Sequence, residues 1–186
     1  MHFDRPARPS RAIWTALPLA AALVTATPCF AQSPNAPFPG DPIDAALNRG
    51  DFATTLKLAQ PLADQGDPRG ENVVGLLYLR GWGVAADPAK AAFWYEKAAE
   101  QGVTAAENNL ATLYMDGRGV PQNYEKAAHW FRKAADQGAA QAYFNLGTLY
   151  EAGLGVPQDY KEAAACYRKA ATIQLKQWTL ENTPPG

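Results

Sequence analysis

VTAAENNLATLYMDGRGVPQNYEKAAHWFRKAADQG, residues 103–138, runs directly into AAQAYFNLGTLYEAGLGVPQDYKEAAACYRKAATIQ, residues 139–174, and the two windows agree at 18 of 36 positions without a gap. Unrelated windows share far fewer. One period upstream, DPRGENVVGLLYLRGWGVAADPAKAAFWYEKAAEQG at 67–102 repeats the same glycines, aromatics and paired alanines. Self-similarity at a fixed period of this size marks a chain built from stacked supersecondary units, each burying its apolar face only against a neighbour.

Each unit carries two helix patterns. In the first, Ala106, Leu110, Leu113 and Tyr114 fall at i, i+4, i+7 and i+8, and Gly70, Val74, Leu77, Tyr78 and Ala142, Leu146, Leu149, Tyr150 repeat that spacing. This is one apolar helical face. Gly75, Ala111 or Gly147 lies beside the stripe, where a bulkier side chain would push a partner helix away. Asp67-Pro68 places an N-cap before a proline at the first helical position, and Thr104 with Glu107 has capping-box spacing. Glycine pairs (Gly81/Gly83, Gly117/Gly119, Gly153/Gly155) end the first helix with a tight reversal. Val84, Val120 and Val156 then turn inward, and Asp87, Asn123 or Asp159 caps the second helix. That helix alternates paired alanines (Ala91, Ala92, Ala98, Ala99; Ala127, Ala128, Ala134, Ala135) with Trp94, Tyr95 and Trp130, Phe131, and Gly102 and Gly138 stop it.

The pattern LGxxYxxGxGVxxDxxKAxxWYxKAAxxG, held over three copies, resembles the Sel-one-like repeats, relatives of the tetratricopeptide repeats. The resemblance covers 67–174, and GDFATTLKLAQPLADQG at 50–66 looks like the second half of a preceding unit. It implies an all-α, right-handed α-solenoid of antiparallel helix pairs: three repeats (67–102, 103–138 and 139–174) plus a partial N-terminal unit. It also implies work as an adaptor in protein complexes and, in bacterial envelopes, in signalling regulation or envelope maintenance.

A solenoid needs finished ends. Residues 42–66 are expected to form an N-terminal capping helix pair. At the other end Ile173 and Gln174 replace the terminating glycine, while Ala171, Leu175 and Trp178 continue an i, i+4, i+7 stripe. The reading is therefore a longer final helix, with 175–186 as extension and tail, on which Trp178 fills the room left where Cys166 replaces Trp94 and Trp130.

The first 31 residues are of another kind. Arg5, Arg8 and Arg11 precede a nearly uncharged Ala/Leu/Val-rich run, Ala12 to Thr27, and Cys29-Phe30-Ala31 closes it with small residues three and one before Gln32. This is the design of a secretory signal peptide cut after Ala31, too short and too broken by Pro18 for a membrane span. Pro28 before Cys29 departs from the small residue that bacterial lipoprotein signals carry there. Residues 32–41, with Pro34, Pro37, Pro39 and Gly40, read as a flexible lead-in. The expected location is periplasmic or secreted, with no stable membrane insertion after cleavage.

Charge excludes one class of partner. The 186 residues hold 17 basic and 18 acidic side chains without a run of either sign, so the basic patch that nucleic acid requires is missing. Catalytic sets are missing too. After Ala31 the chain has one serine (Ser33), one histidine (His129) and one cysteine (Cys166), so no serine triad, zinc cluster or internal disulfide can be assembled. Cys166 reads as buried packing, His129 as a surface position, and Glu96 with Glu100 as a solvated face. The threefold GxGV follows a helix rather than a strand and lacks the Lys-Ser/Thr of a phosphate loop. Some cysteine-rich members of the resembled family bind or hydrolyse β-lactams, but the paired cysteines of that branch do not occur here. Catalytic, cofactor and metal sites are accordingly assigned as none, and the chain is read as a non-enzyme.

In tetratricopeptide-like units the first helices line the concave surface. Opposite the apolar stripe lie Arg69, Asn72, Leu76 and Leu79 in the first copy, and Asn108, Thr112 and Met115 in the second. Gln141, Phe144, Thr148 and Glu151 follow in the third. These identities change from copy to copy, as positions released from packing do. Apolar Leu76, Leu79, Met115 and Phe144 on a face that should be polar, with Asn72 and Asn108 stacked one period apart, suit an extended peptide whose backbone the amides grip. Trp82, at the loop position of Arg118 and Leu154, is either a loop-edge contact for a partner or packing over the adjacent loop. The function read from all this is a protein or peptide adaptor of the bacterial envelope; the alternative is a binder of cell-wall fragments or β-lactam-like envelope ligands.

Overall fold

The computed structural model describes residues 41–182, so the expected signal peptide and most of the lead-in lie outside the described residues. Among the described residues eight helices follow one another: α1 (Pro42–Asn48), α2 (Phe52–Asp64), α3 (Pro68–Arg80), α4 (Pro88–Glu100), α5 (Thr104–Asp116), α6 (Tyr124–Asp136), α7 (Ala140–Ala152) and α8 (Tyr160–Asn182). Each packs against the next in the chain. The architecture is an all-α helical-repeat solenoid.

Local chemistry accounts for most boundaries. The Asp67 carboxylate accepts the Arg69 and Gly70 N–H groups and Asp87 accepts those of Ala89 and Lys90, each before a proline that needs no partner for its own nitrogen. Asn123 caps α6 and Asp159 caps α8 in the same way. Gly81, Gly117 and Gly153 close α3, α5 and α7 in the left-handed conformation, with φ between 67° and 69°. The capping box expected at Thr104 does not form. Val103 is the N-cap residue and makes no side-chain bond; Thr104 and Glu107 are buried and bond instead to Gln137, the residue just after the next helix.

The stripes are buried as their spacing requires. Val74, Leu77, Ala106, Leu110, Leu113, Ala142 and Leu149 are at most 1% exposed, and Tyr95 and Phe131 are fully enclosed. Gly75 and Gly147 let the helix pairs close: a β-carbon at either would stand within 3 Å of the ring of Tyr95 or Tyr167. Trp94 and Trp130 are half-buried rather than core, and Cys166 at the equivalent place is buried and unpaired. A thiol is small enough to be covered by its own neighbours. Burial raises its pKa, with Glu162 adding to the effect, so it is held as a thiol, the inert form.

The two ends differ. At the N-terminus the Arg69 guanidinium reaches Asp41 through Nη1 and Asp44 through Nη2, both at 2.6 Å, and ties the short α1 to α3. At the C-terminus α8 runs for 23 residues against 13 in α7 and outruns it. Leu175 is 64% and Trp178 61% exposed. The expected closing of the end by Trp178 is thus corrected: the helix is long, but among the described residues no helix covers its stripe.

Candidate functional site

The first helices α3, α5 and α7 carry the face singled out from the sequence, and the structure sorts its members. Leu76 is buried at 8% in the main core, with Leu79 and Met115 packed against that core; Leu76 therefore belongs to the core and not, as its place opposite the stripe implied, to a free surface. Arg69 is engaged by Asp41 and Asp44. Thr112 returns its hydroxyl to the Asn108 carbonyl at 2.9 Å, and Thr148 to that of Asn145 at 2.7 Å. Gln141 donates to the Asn145 side chain at 3.1 Å. Trp82 is stacked on Phe52 with ring centroids 4.6 Å apart, so its contact is intramolecular packing.

Asn72, Asn108 and Phe144 remain, at one equivalent position of the three repeats. Both amides are half-buried, and their Oδ1 atoms are shielded and have no hydrogen-bond partner. Two shielded acceptors in register, one repeat apart, are uncommon, because a buried acceptor without a donor costs free energy. The terminal amide torsion is broad, so either side chain can re-orient toward a donor. Phe144 is 49% exposed and leans on Tyr167, ring centroids 5.4 Å apart. The Tyr167 hydroxyl donates to Glu151 Oε2 at 2.7 Å; desolvation, helped by that carboxylate, pushes its pKa up to about 12. The face thus offers two amides, one aromatic ring and one carboxylate.

Sequence reasoning missed a second recurring arrangement. Glu71 and Glu107 are at most 2% exposed. Gln101 Nε2 donates to Glu71 at 2.8 Å, and Gln137 Nε2 to Glu107 at 2.7 Å while its own oxygen accepts from Thr104 at 2.6 Å. Lys133 Nζ stands 3.6 Å from Glu107, an ion pair rather than a hydrogen bond. Burial lifts both carboxyls above their ordinary pKa, with Lys97 and Lys133 pulling the other way. The signal was present: Glu and Gln recur in repeats one and two at the same two positions and change together in the third, to Tyr143 and Ile173. Elsewhere His129 is exposed, edge-on to Trp130, and among the described residues no group of three or more His, Cys, Asp or Glu could hold a metal ion.

The Sel1 repeat family model matches residues 68–103, 104–138 and 140–172, more than half of the chain. The chain belongs to the Sel1-repeat family. Among solved structures it is similar to a Sel1 repeat protein from Oxalobacter formigenes, at 35% identity and a TM-score of 0.66 over 70% of this chain and 54% of that one. It is also similar, at 35% identity and a TM-score of 0.65, to a protective antigen of uropathogenic Escherichia coli strains, over 70% of this chain and 30% of that one. This Sel1 protein therefore spans about half or less of the length of those relatives. No curated protein matches it. Sel1 repeats are typically non-catalytic protein-interaction scaffolds, and among the described residues of this one no helix is long and apolar enough to cross a membrane.

Proposed function

We propose that this Sel1 protein is a non-catalytic adaptor of the bacterial envelope that holds an extended segment of a partner protein along α3, α5 and α7. The observation that carries the reading is the pair of shielded, unpartnered acceptors Asn72 Oδ1 and Asn108 Oδ1 in adjacent repeats. Backbone N–H groups of an extended peptide supply donors along a line, and Phe144 beyond them offers an apolar contact for a side chain. Export rests on the arginine-led apolar segment before Gln32. The test replaces Asn72, Asn108 and Phe144 together by Ala and compares affinity capture from the envelope fraction with the wild type. Helical content and melting should hold, because none of the three belongs to the buried stripe, while the partner is lost and the purified native chain begins at Gln32. A triple variant that retains its partner at wild-type affinity overturns the assignment of this face.

A further inference from the structure

An open cavity of about 390 Å³ lies between the end of α6, the start of α7 and one face of α8. Ala165, Arg168, Lys169, Thr172 and Ile173 line it from α8, at i, i+3, i+4, i+7 and i+8, with Tyr143, Ala135 and Asp136 opposite. Its volume lies within the range of small-molecule sites.

The same place in the preceding repeat is occupied from within. One period earlier, Tyr143 is Glu107, Ile173 is Gln137, Ala140 is Thr104 and Ala165 is His129. There a buried carboxylate accepts from Gln137 and sits 3.6 Å from Lys133. In the first repeat Glu71 is bonded to Gln101, and Phe93 holds the place of Ala165. The third repeat retains the cations, Arg168 and Lys169 after Arg132 and Lys133, and loses the carboxylate, the amide and the large side chain. Neither Arg168 nor Lys169 makes an ion pair with another described residue; Lys169 Nζ rests over the Tyr143 ring, 5.1 Å from its centre. Asp136 is the one carboxylate in the lining, so two cations outnumber it.

We infer that this groove is a binding site for an apolar monocarboxylate, whose carboxylate supplies the negative charge that Glu107 supplies inside repeat two and whose body fills the room that Ala165 leaves beside Ile173. Arg168 and Lys169 supply charge-assisted hydrogen bonds, and Tyr143, Ala135 and Ile173 the apolar wall. The inference is independent of the peptide reading above, since it uses α6, α8 and Tyr143 of α7, and none of Asn72, Asn108 and Phe144.

Titration of the purified protein with 4-phenylbutanoate, followed by calorimetry and by backbone amide shifts, tests it against 4-phenylbutanol, which has the same body without charge. The acid is expected to saturate with shifts confined to the groove, and the alcohol to bind at least about tenfold more weakly. Arg168→Gln with Lys169→Gln should weaken the acid by a similar factor. Ala165→Phe should abolish binding without changing charge; Phe93 shows that the fold accepts a ring there, half exposed. Tyr143→Glu combined with Ile173→Gln restores the internal carboxylate and its amide, and should abolish binding while melting is held or raised. A peptide ending in a free-acid Phe, compared with its C-terminal amide, separates two sources of the same chemistry: tighter binding than 4-phenylbutanoate that is lost on amidation assigns the groove to a peptide end, and weaker binding assigns it to a small acid. Equal binding of acid and alcohol, acid binding that survives Ala165→Phe, or no saturation up to about 10 mM overturns the inference.

Discussion

Gly119 shows how much one residue holds. It has φ +74°, and a β-carbon there would stand 2.2 Å from the Pro88 carbonyl carbon, so the loop after α5 lies directly on the start of α4. Gly102 has a similar φ of +85° but open space around it. The conformational cost of a side chain is common to both and the collision belongs to Gly119 alone. Gly102→Ala should cost about 1 kcal/mol and Gly119→Ala well over about 2 kcal/mol, read from urea unfolding. Glu107 illustrates the electrostatic side. Its native pKa is raised by burial above the ordinary 4.5, so the folded state holds the proton more tightly than the unfolded chain. Its contribution is full below the ordinary value and is lost as pH rises through the raised one. Wild type should therefore gain stability relative to Glu107→Gln as pH falls from neutrality toward the ordinary 4.5. The comparison belongs in a His129→Gln background, which removes the imidazole's charge from the field at Glu107. A difference that stays flat or shrinks on acidification removes the buried carboxylate from the account.

At the scale of the element, α8 is the instructive case. Its first part repeats the alanine and aromatic pattern of α4 and α6 and is packed against α7, with Ala163 and Ala170 buried. Its second part carries Leu175, Trp178 and Leu180 into solvent. Helix propensity and an apolar stripe continue a helix, but only a facing helix buries the stripe. Trp178→Ala should then change unfolding free energy by no more than about 0.5 kcal/mol. Tyr114→Ala, which empties a buried position of α5, should cost about 3 kcal/mol and unfold the middle repeat. A large loss at Trp178 would show that the end is closed after all.

Among the described residues, packing runs mainly between consecutive helices, with α1 also joined to α3 by Arg69, so stability propagates along the array largely by nearest neighbours. Interior helices have partners on both sides and the ends on one. Native-state hydrogen exchange should be slowest in α4, α5 and α6 and fastest in α1 and in α8 beyond Thr172. Arg69→Ala should release α1 without altering protection in α5 to α7. Uniform protection along the chain would contradict a one-dimensional coupling.

The period of 36, the helix pairs, the caps at Asp67, Asp87 and Asn123 and the inward stripes were all legible in the residues, because each depends on groups within about four residues of one another or on repetition of the same spacing. That Asn72 and Asn108 stand in register was legible for the same reason. What the tertiary structure decided are contacts between residues far apart in the chain: Arg69 with Asp41 and Asp44 across 28 and 25 residues, Thr104 with Gln137 across 33, Trp82 on Phe52 across 30. It also moved Leu76 into the core and left Trp178 mostly exposed. Spacing along a helix says which face a side chain occupies; which face of another helix meets it is settled only when the repeats stack, since a single residue's rotation about the axis exchanges a buried partner for solvent.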